Sequence, residues 1–119
     1  MKIAVTASQP DLSSEVDPRF GRAPYILVVD SETMDYQVID NRENASSLKG
    51  AGIQAASSVG NKGAQVLITG HCGPNAFRAL KAAGIKVVNG ASGTVKQAIK
   101  EYLEGKLKVS EEPDVEGRW

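Results

Sequence analysis

The apolar positions of this chain fall into short blocks separated by polar or glycine-rich stretches, and their period changes halfway along. Residues 2–7 (KIAVTA), 24–30 (PYILVVD), 35–40 (DYQVID), 65–69 (QVLIT) and 86–88 (KVV) are rich in β-branched residues and predict five strands. The first two are almost continuously apolar, as strands buried on both faces are. Only SETM separates the second from the third, a hairpin-length link that predicts an antiparallel pair. Three helices are predicted in the second half. Ile53, Ala56 and Val59 share one face of residues 52–60, and Ala76, Phe77, Leu80 and Ala83 share one face of 74–83. Val95, Ala98, Ile99, Tyr102 and Leu103 do the same in the third, which Thr94 and Gln97 can open as a capping box and Gly105 can close.

The order βββαβαβα with right-handed crossovers predicts an α/β fold of three layers. Its centre is a mixed five-stranded sheet of order 3-2-1-4-5 with strand two antiparallel and helices on both faces. At 119 residues the chain fits one domain, expected over 1–105. Residues 106–119 lose periodicity and collect Glu111, Glu112, Asp114 and Glu116 around Pro113, which predicts an acidic, mobile tail.

Charge narrows the partners. With 14 Lys and Arg against 14 Asp and Glu, no net field holds the molecule on nucleic acid or an anionic membrane, and no apolar run is long enough for a span. A single cysteine cannot form an intramolecular disulfide, and MKIAVTA lacks the apolar core of a secretory signal, so a cytoplasmic protein is expected.

In the expected sheet four connections, 8–23, 41–52, 70–74 and 89–94, gather at one edge. Open α/β sheets bind ligands at that edge, where strand order reverses, here between strands one and four. The first loop is long and carries Arg19 and Arg22 around Phe20-Gly21. Either the guanidinium groups face an anion, or both are solvated while Phe20 packs over the core. The second delivers Gly50-Ala51-Gly52 to a helix start, where free N–H groups suit an anion; the same glycines also simply let a helix begin. The third, TGHCGPNAFRAL, holds the only His and the only Cys. Pro74 favours the first helical position, so His71, Cys72 and Gly73 lie just before a helix N-terminus, which favours a thiolate; alternatively Cys72 is a small residue filling a turn. In the fourth loop Ser92 and Thr94 are best explained by turn formation and capping.

Cys72 and Arg78 also have the Cys-x5-Arg spacing of cysteine phosphatases, in which loop N–H groups and the Arg surround a phosphate that the thiolate attacks. Pro74 deletes one of those donors, Asn75 replaces the usual mid-loop glycine and Ala79 replaces the hydroxyl residue after the Arg. With Pro74 at the first helical position, Arg78 sits a turn into the helix. This enzyme reading ranks below a binding role.

The motifs SEVDPRFGRAPY, GAGIQ at a helix start, TGHCGPNAFRALKAAGIKV and GTVKQAI, in this order, resemble the dinitrogenase iron-molybdenum cofactor biosynthesis accessory family over about residues 1–107. That family includes small cofactor carriers and the molybdenum-copper orange proteins. The resemblance implies a ribonuclease-H-like fold and non-catalytic binding or transfer of an iron-molybdenum cofactor precursor or another metal-sulfur cluster (Fe-S, Mo-S or Mo-Cu-S). It also implies donor and acceptor proteins, and members act in settings without nitrogenase. Matched positions are Arg19, Phe20, Gly21, Arg22, Gly73, Pro74 and Asn75, with Gly50 and Gly52 at the helix start. His71 and Cys72 stand at positions that vary among members.

The residues accommodate such a cargo. A preassembled cluster is an anion with its own sulfides, so arginines, loop N–H groups, the Cys72 thiolate and the His71 imidazole suffice as metal ligands and donors. One chain cannot build a four-Cys iron-sulfur site, and zinc would lack two ligands. The protein is expected as a monomer or as a symmetric homodimer that shares Cys72. A phosphate-containing small molecule at the same edge is the alternative ligand. An interaction module working through its surface and tail is a third class.

Overall fold

The buried run Ile3-Ala4-Val5-Thr6-Ala7 makes β1 (Lys2–Ala7) the centre of the sheet. In the computed structural model, which describes residues 1–112, it is flanked by β2 (Tyr25–Asp30) and β4 (Val66–Ile68), with β3 (Tyr36–Asp40) and β5 (Lys86–Val88) at the edges. The order is 3-2-1-4-5 as expected. β2 runs antiparallel to β1 and β3, and β1, β4 and β5 are parallel.

Alternation along the strands splits the core in two. Ala4, Ile26, Val28, Leu67 and Val87 face α2 (Ala51–Asn61) and α3 (Pro74–Ala82), whose Ala55, Val59, Phe77 and Leu80 close that side. Ile3, Val5, Leu27, Val29, Val66 and Ile68 face α4 (Val95–Leu103), which covers them with Val95, Ala98 and Ile99. The three-layer arrangement follows. The capping box of α4 is present in both halves: Gln97 N–H donates to Thr94 Oγ1 at 3.1 Å and Thr94 N–H to Gln97 Oε1 at 3.0 Å.

Two features depart from the sequence reading. A short helix, α1 (Arg42–Ala45), interrupts the second loop; it buries no residue, which is why periodicity gave no sign of it. The segment after α4 stays on the domain: Leu107 and Val109 pack against the α4-side core, and Ser110 N–H donates to Val87 O at 2.7 Å. The part of the expected tail from Pro113 onward lies outside the described residues. Among those described, no helix is long and apolar enough to cross a membrane.

Candidate functional site

The loops at the carboxyl edge are knitted together by backbone hydrogen bonds before any side chain is considered. His71 N–H donates to Pro18 O at 2.7 Å and Phe20 N–H to His71 O at 3.0 Å, so the first and third loops run as a short parallel ladder with Arg19 beside His71. Gly70 permits this approach, since a Cβ there would stand 2.6 Å from Pro18 Cα. Asp17, buried, accepts from Arg19 N–H at 3.0 Å, while Thr6 Oγ1 donates to Asp17 O and shares a 2.9 Å hydrogen bond with Thr69 Oγ1. These buried hydroxyls sit where strand order reverses and serve to hold the loop.

The fourth loop is occupied elsewhere. Gly90 N–H and Ala91 N–H donate to Gly70 O and Thr69 O, and Val16 N–H donates to Gly93 O. It therefore pairs with the first half of loop 8–23. The four loops do meet at this edge as expected, but loop 89–94 lies outside the lining of the cleft that the other three form.

The remaining three enclose a cleft of about 200 Å³. Phe20 and Arg22 come from the first loop, Leu48 to Ile53 from the second, and Gly73, Pro74, Asn75 and Ala76 from the third. Seven of the candidate residues thus meet: Phe20, Arg22, Gly50, Gly52, Gly73, Pro74 and Asn75. Arg19, Gly21, His71 and Cys72 do not line it. Arg19 is exposed and His71 half-buried beside it. Cys72 is 0% exposed and belongs to the core on the α2 and α3 side, with Sγ 3.6 Å from Gly73 O.

Two helices begin in this cleft. α2 starts at Gly50, whose φ of 73° is the left-handed conformation glycine adopts without strain, and α3 starts at Gly73 with Pro74 at its first position. Neither has a side-chain cap, in contrast to α4. Backbone bonding resumes at Gln54 N–H to Gly50 O and at Phe77 N–H to Gly73 O. The N–H groups of residues 51–53, 75 and 76 therefore precede the first bonds of their helices, and the positive ends of two helix dipoles converge. Arg22 and Lys49 add side-chain charge, and none of the described residues lining the cleft carries a carboxylate, thiol or imidazole.

Arg22 also has a structural task that its sequence position did not reveal. Its Nη1 donates to Ala45 O at 2.9 Å and Ser47 O at 2.6 Å, tying the second loop to the first. Asn41, buried, donates through Nδ2 to Gly21 O and Ala23 O; Asn44 Nδ2 donates to Asn41 Oδ1 and to Ala51 O at the start of α2. Asn41, Asn44, Leu48 and Lys49 escaped the sequence reading. The only signal was that NRENASSLKG is polar and directly precedes a glycine-flanked helix start. Arg42 contributes nothing to the cleft's wall: it forks onto Asp40, and its hydrogen bond holds that carboxyl at about 2, well below the usual range.

The phosphatase geometry does not assemble. The Cys72 thiol faces the core, and Arg78 lies within α3, donating to Asn75 Oδ1 instead of arching over a phosphate. Among the described residues, no three His, Cys, Asp or Glu side chains form a metal-binding group.

A family model described as "Dinitrogenase iron-molybdenum cofactor" matches residues 1–105. The apo form of the orange protein from Desulfovibrio gigas is 46% identical, with a TM-score of 0.93 over 96% of each chain. A NifB-like protein of the DUF35 family from Thermotoga is 38% identical, with a TM-score of 0.79 over 91% of each chain. An uncharacterized protein of Methanocaldococcus jannaschii is 31% identical over 93% of this chain and 92% of its own.

Proposed function

The chain belongs to the dinitrogenase iron-molybdenum cofactor family, and from that premise we propose that it is a non-catalytic carrier whose cargo is an anionic metal-sulfur cluster or a precursor of the iron-molybdenum cofactor. The observation that carries this reading is the pair of uncapped helix N-termini opening into one carboxylate-free cleft. A cluster's outward sulfides are diffuse acceptors. They match several modest N–H donors better than one strong ligand, and the Arg22 and Lys49 charges offset the cargo's own. Phe20, Ile53 and Pro74 give the cleft apolar walls, which limit water at the cargo.

Arg19 and His71 sit on the adjoining ladder and provide a second contact zone for a cargo larger than the cleft. Cys72 reaches such a cargo only by turning out of the core. A phosphate compound is the second reading, favoured by the absence of any soft ligand from the cleft wall.

The deciding experiment is anaerobic loading with preformed tetrathiomolybdate, with and without copper(I), followed by metal analysis and visible absorption. Wild type is compared with Arg22→Ala and Lys49→Gln. Stoichiometric metal with a charge-transfer band, weakened in both variants, is expected. A wild type that stays colourless yet binds inorganic phosphate at these residues would transfer the cleft to the phosphate reading.

A further inference from the structure

The molecule is neutral overall, but its charges are segregated along the chain. No Asp or Glu occurs between Glu43 and Glu101, a stretch that holds seven Lys or Arg. This stretch builds α2 and α3 entirely, and neither helix supplies a carboxylate; Lys62 follows α2 between the groove residues Asn61 and Gly63, Arg78 is exposed on α3 beside Ala79, and Lys81 lies on the other flank of α3, over the Phe77 ring. Between the two helices runs a groove of about 570 Å³ with a floor of Ala56, Gly60, Ala64, Ala79 and Ile85. Ile53, 49% exposed, borders both this groove and the cleft, and Leu48 on the cleft rim is 95% exposed.

We propose that the groove between α2 and α3 is a docking surface for an acidic protein partner that lays apolar side chains along the floor and sets carboxylates against Lys62 and Arg78. Charge complementarity identifies the occupant's sign. The apolar floor and the exposed Ile53 and Leu48 identify it as a protein surface, since interfaces combine an apolar centre with a charged rim. Nucleic acid fits less well: the one aromatic ring of this face, Phe77, is buried, so no stacking platform is offered. Docking here would place the partner at the mouth of the cleft, where cargo is handed over. The groove carries this assignment on its own shape and charge, whatever the cleft holds.

The test uses the full isotope-labelled chain and a synthetic amphipathic peptide with leucines on one helical face and glutamates on its flanks. Amide signals of Ser57, Gly60, Ala79 and Ala83 are expected to move on titration. Affinity should fall roughly tenfold in the double variant Lys62→Glu with Arg78→Glu, and should fall further with added salt. Ser57→Glu, which puts a carboxylate at the groove, should weaken it independently. All three positions are exposed, and the amide spectrum verifies that each variant is folded.

Four results would overturn the proposal. One is a peptide that moves no groove signals. A second is heparin moving the same signals with equal strength, which would make the face a general polyanion site. Peptide binding that appears only after removal of residues 111–119 would give the groove to the chain's own acidic segment. A doubling of mass with the groove signals already shifted would give it to a second copy.

Discussion

Gly21 and Gly52 meet backbone to backbone: a Cβ on Gly21 would stand 2.9 Å from both Cα and N of Gly52. A Cβ on Gly52 would in turn stand 2.9 Å from Ala76 Cβ. The first loop, α2 and α3 are therefore stacked at the distance that missing side chains allow. That stacking sets the spacing of the two helix N-termini across the cleft. The sequence placed Gly21 among the family-matched positions and Gly52 at a helix start that suits an anion or simply lets the helix begin; their geometry adds a packing role.

Gly21→Ala should consequently cost far more than Gly50→Ala. At Gly21 the new methyl meets backbone and the φ of 95° is itself unfavourable to any L side chain, so a loss of roughly 2–4 kcal/mol is expected. At Gly50 the φ of 73° carries the same kind of strain, but no atom lies within 4 Å of the new methyl, and a loss of about 1–2 kcal/mol is expected. Urea denaturation of the two variants checks the order. Equal losses would mean that the loop yields to the methyl and that the stacking does not set the spacing.

Much of this architecture was legible because burial imposes periods on sequence. The strands face two cores, so their apolar runs and the single short hairpin were enough to give the order 3-2-1-4-5. Loop assembly was less legible. Nothing in NGASGT announces that Gly90 and Ala91 bond back to the third loop, because backbone hydrogen bonds leave no residue signature. Cys72 shows the same limit from another side. Its position before a helix N-terminus was read correctly, but the direction of its side chain depends on the twist of residues 69–73, which spacing does not encode.

The cap of α4 offers a change that separates fold from site. Thr94→Ala removes the acceptor of Gln97 N–H, and a loss of about 1 kcal/mol in stability is expected. The cleft involves neither residue, so binding of thiomolybdate by the folded variant should equal that of wild type. A variant that loses cargo in proportion to nothing but its unfolded fraction meets this expectation. A specific loss of affinity would bring the fourth loop back into the site.

Asp40 fixes one piece of the acid limb. The hydrogen bond from the Arg42 side chain, followed by the bond from its backbone N–H, lowers this carboxyl from 3.8 to about 2 in the folded protein. The folded value lies below the unfolded one, so the contribution is present above pH 3.8 and fades as the pH falls toward about 2. Asp40→Asn should flatten stability against pH only within that window and leave it unchanged in shape near neutrality. Both side chains are largely exposed, so the effect is small and should shrink in high salt. Chemical denaturation at a series of pH values for wild type and variant reads it directly. A difference in shape centred above pH 5 would point to another group.

Cys72 decides how the cargo is held. Its thiol is buried among residues such as Phe20, Ala76 and Phe77, where a small apolar group is wanted. Cys72→Ala preserves that character and should cost little stability beyond the lost sulfur contacts. Cys72→Ser buries a more polar group, whose nearest named acceptor is the Gly73 O that the thiol faces at 3.6 Å, and should cost up to about 1–3 kcal/mol. If donors in the cleft hold the cluster, both variants load with as much metal per folded molecule as wild type, and their absorption bands coincide with it. If the thiol ligates, Cys72→Ala loses metal or shifts its charge-transfer band while remaining at least as stable as Cys72→Ser. That outcome would require residues 70–73 to leave the ladder with Pro18 and Phe20 on loading. Faster amide exchange at His71 in the loaded protein would then accompany the loss, because its N–H donates to Pro18 O only while the ladder is intact. Measuring metal content and exchange on the same samples keeps the two modes of holding apart.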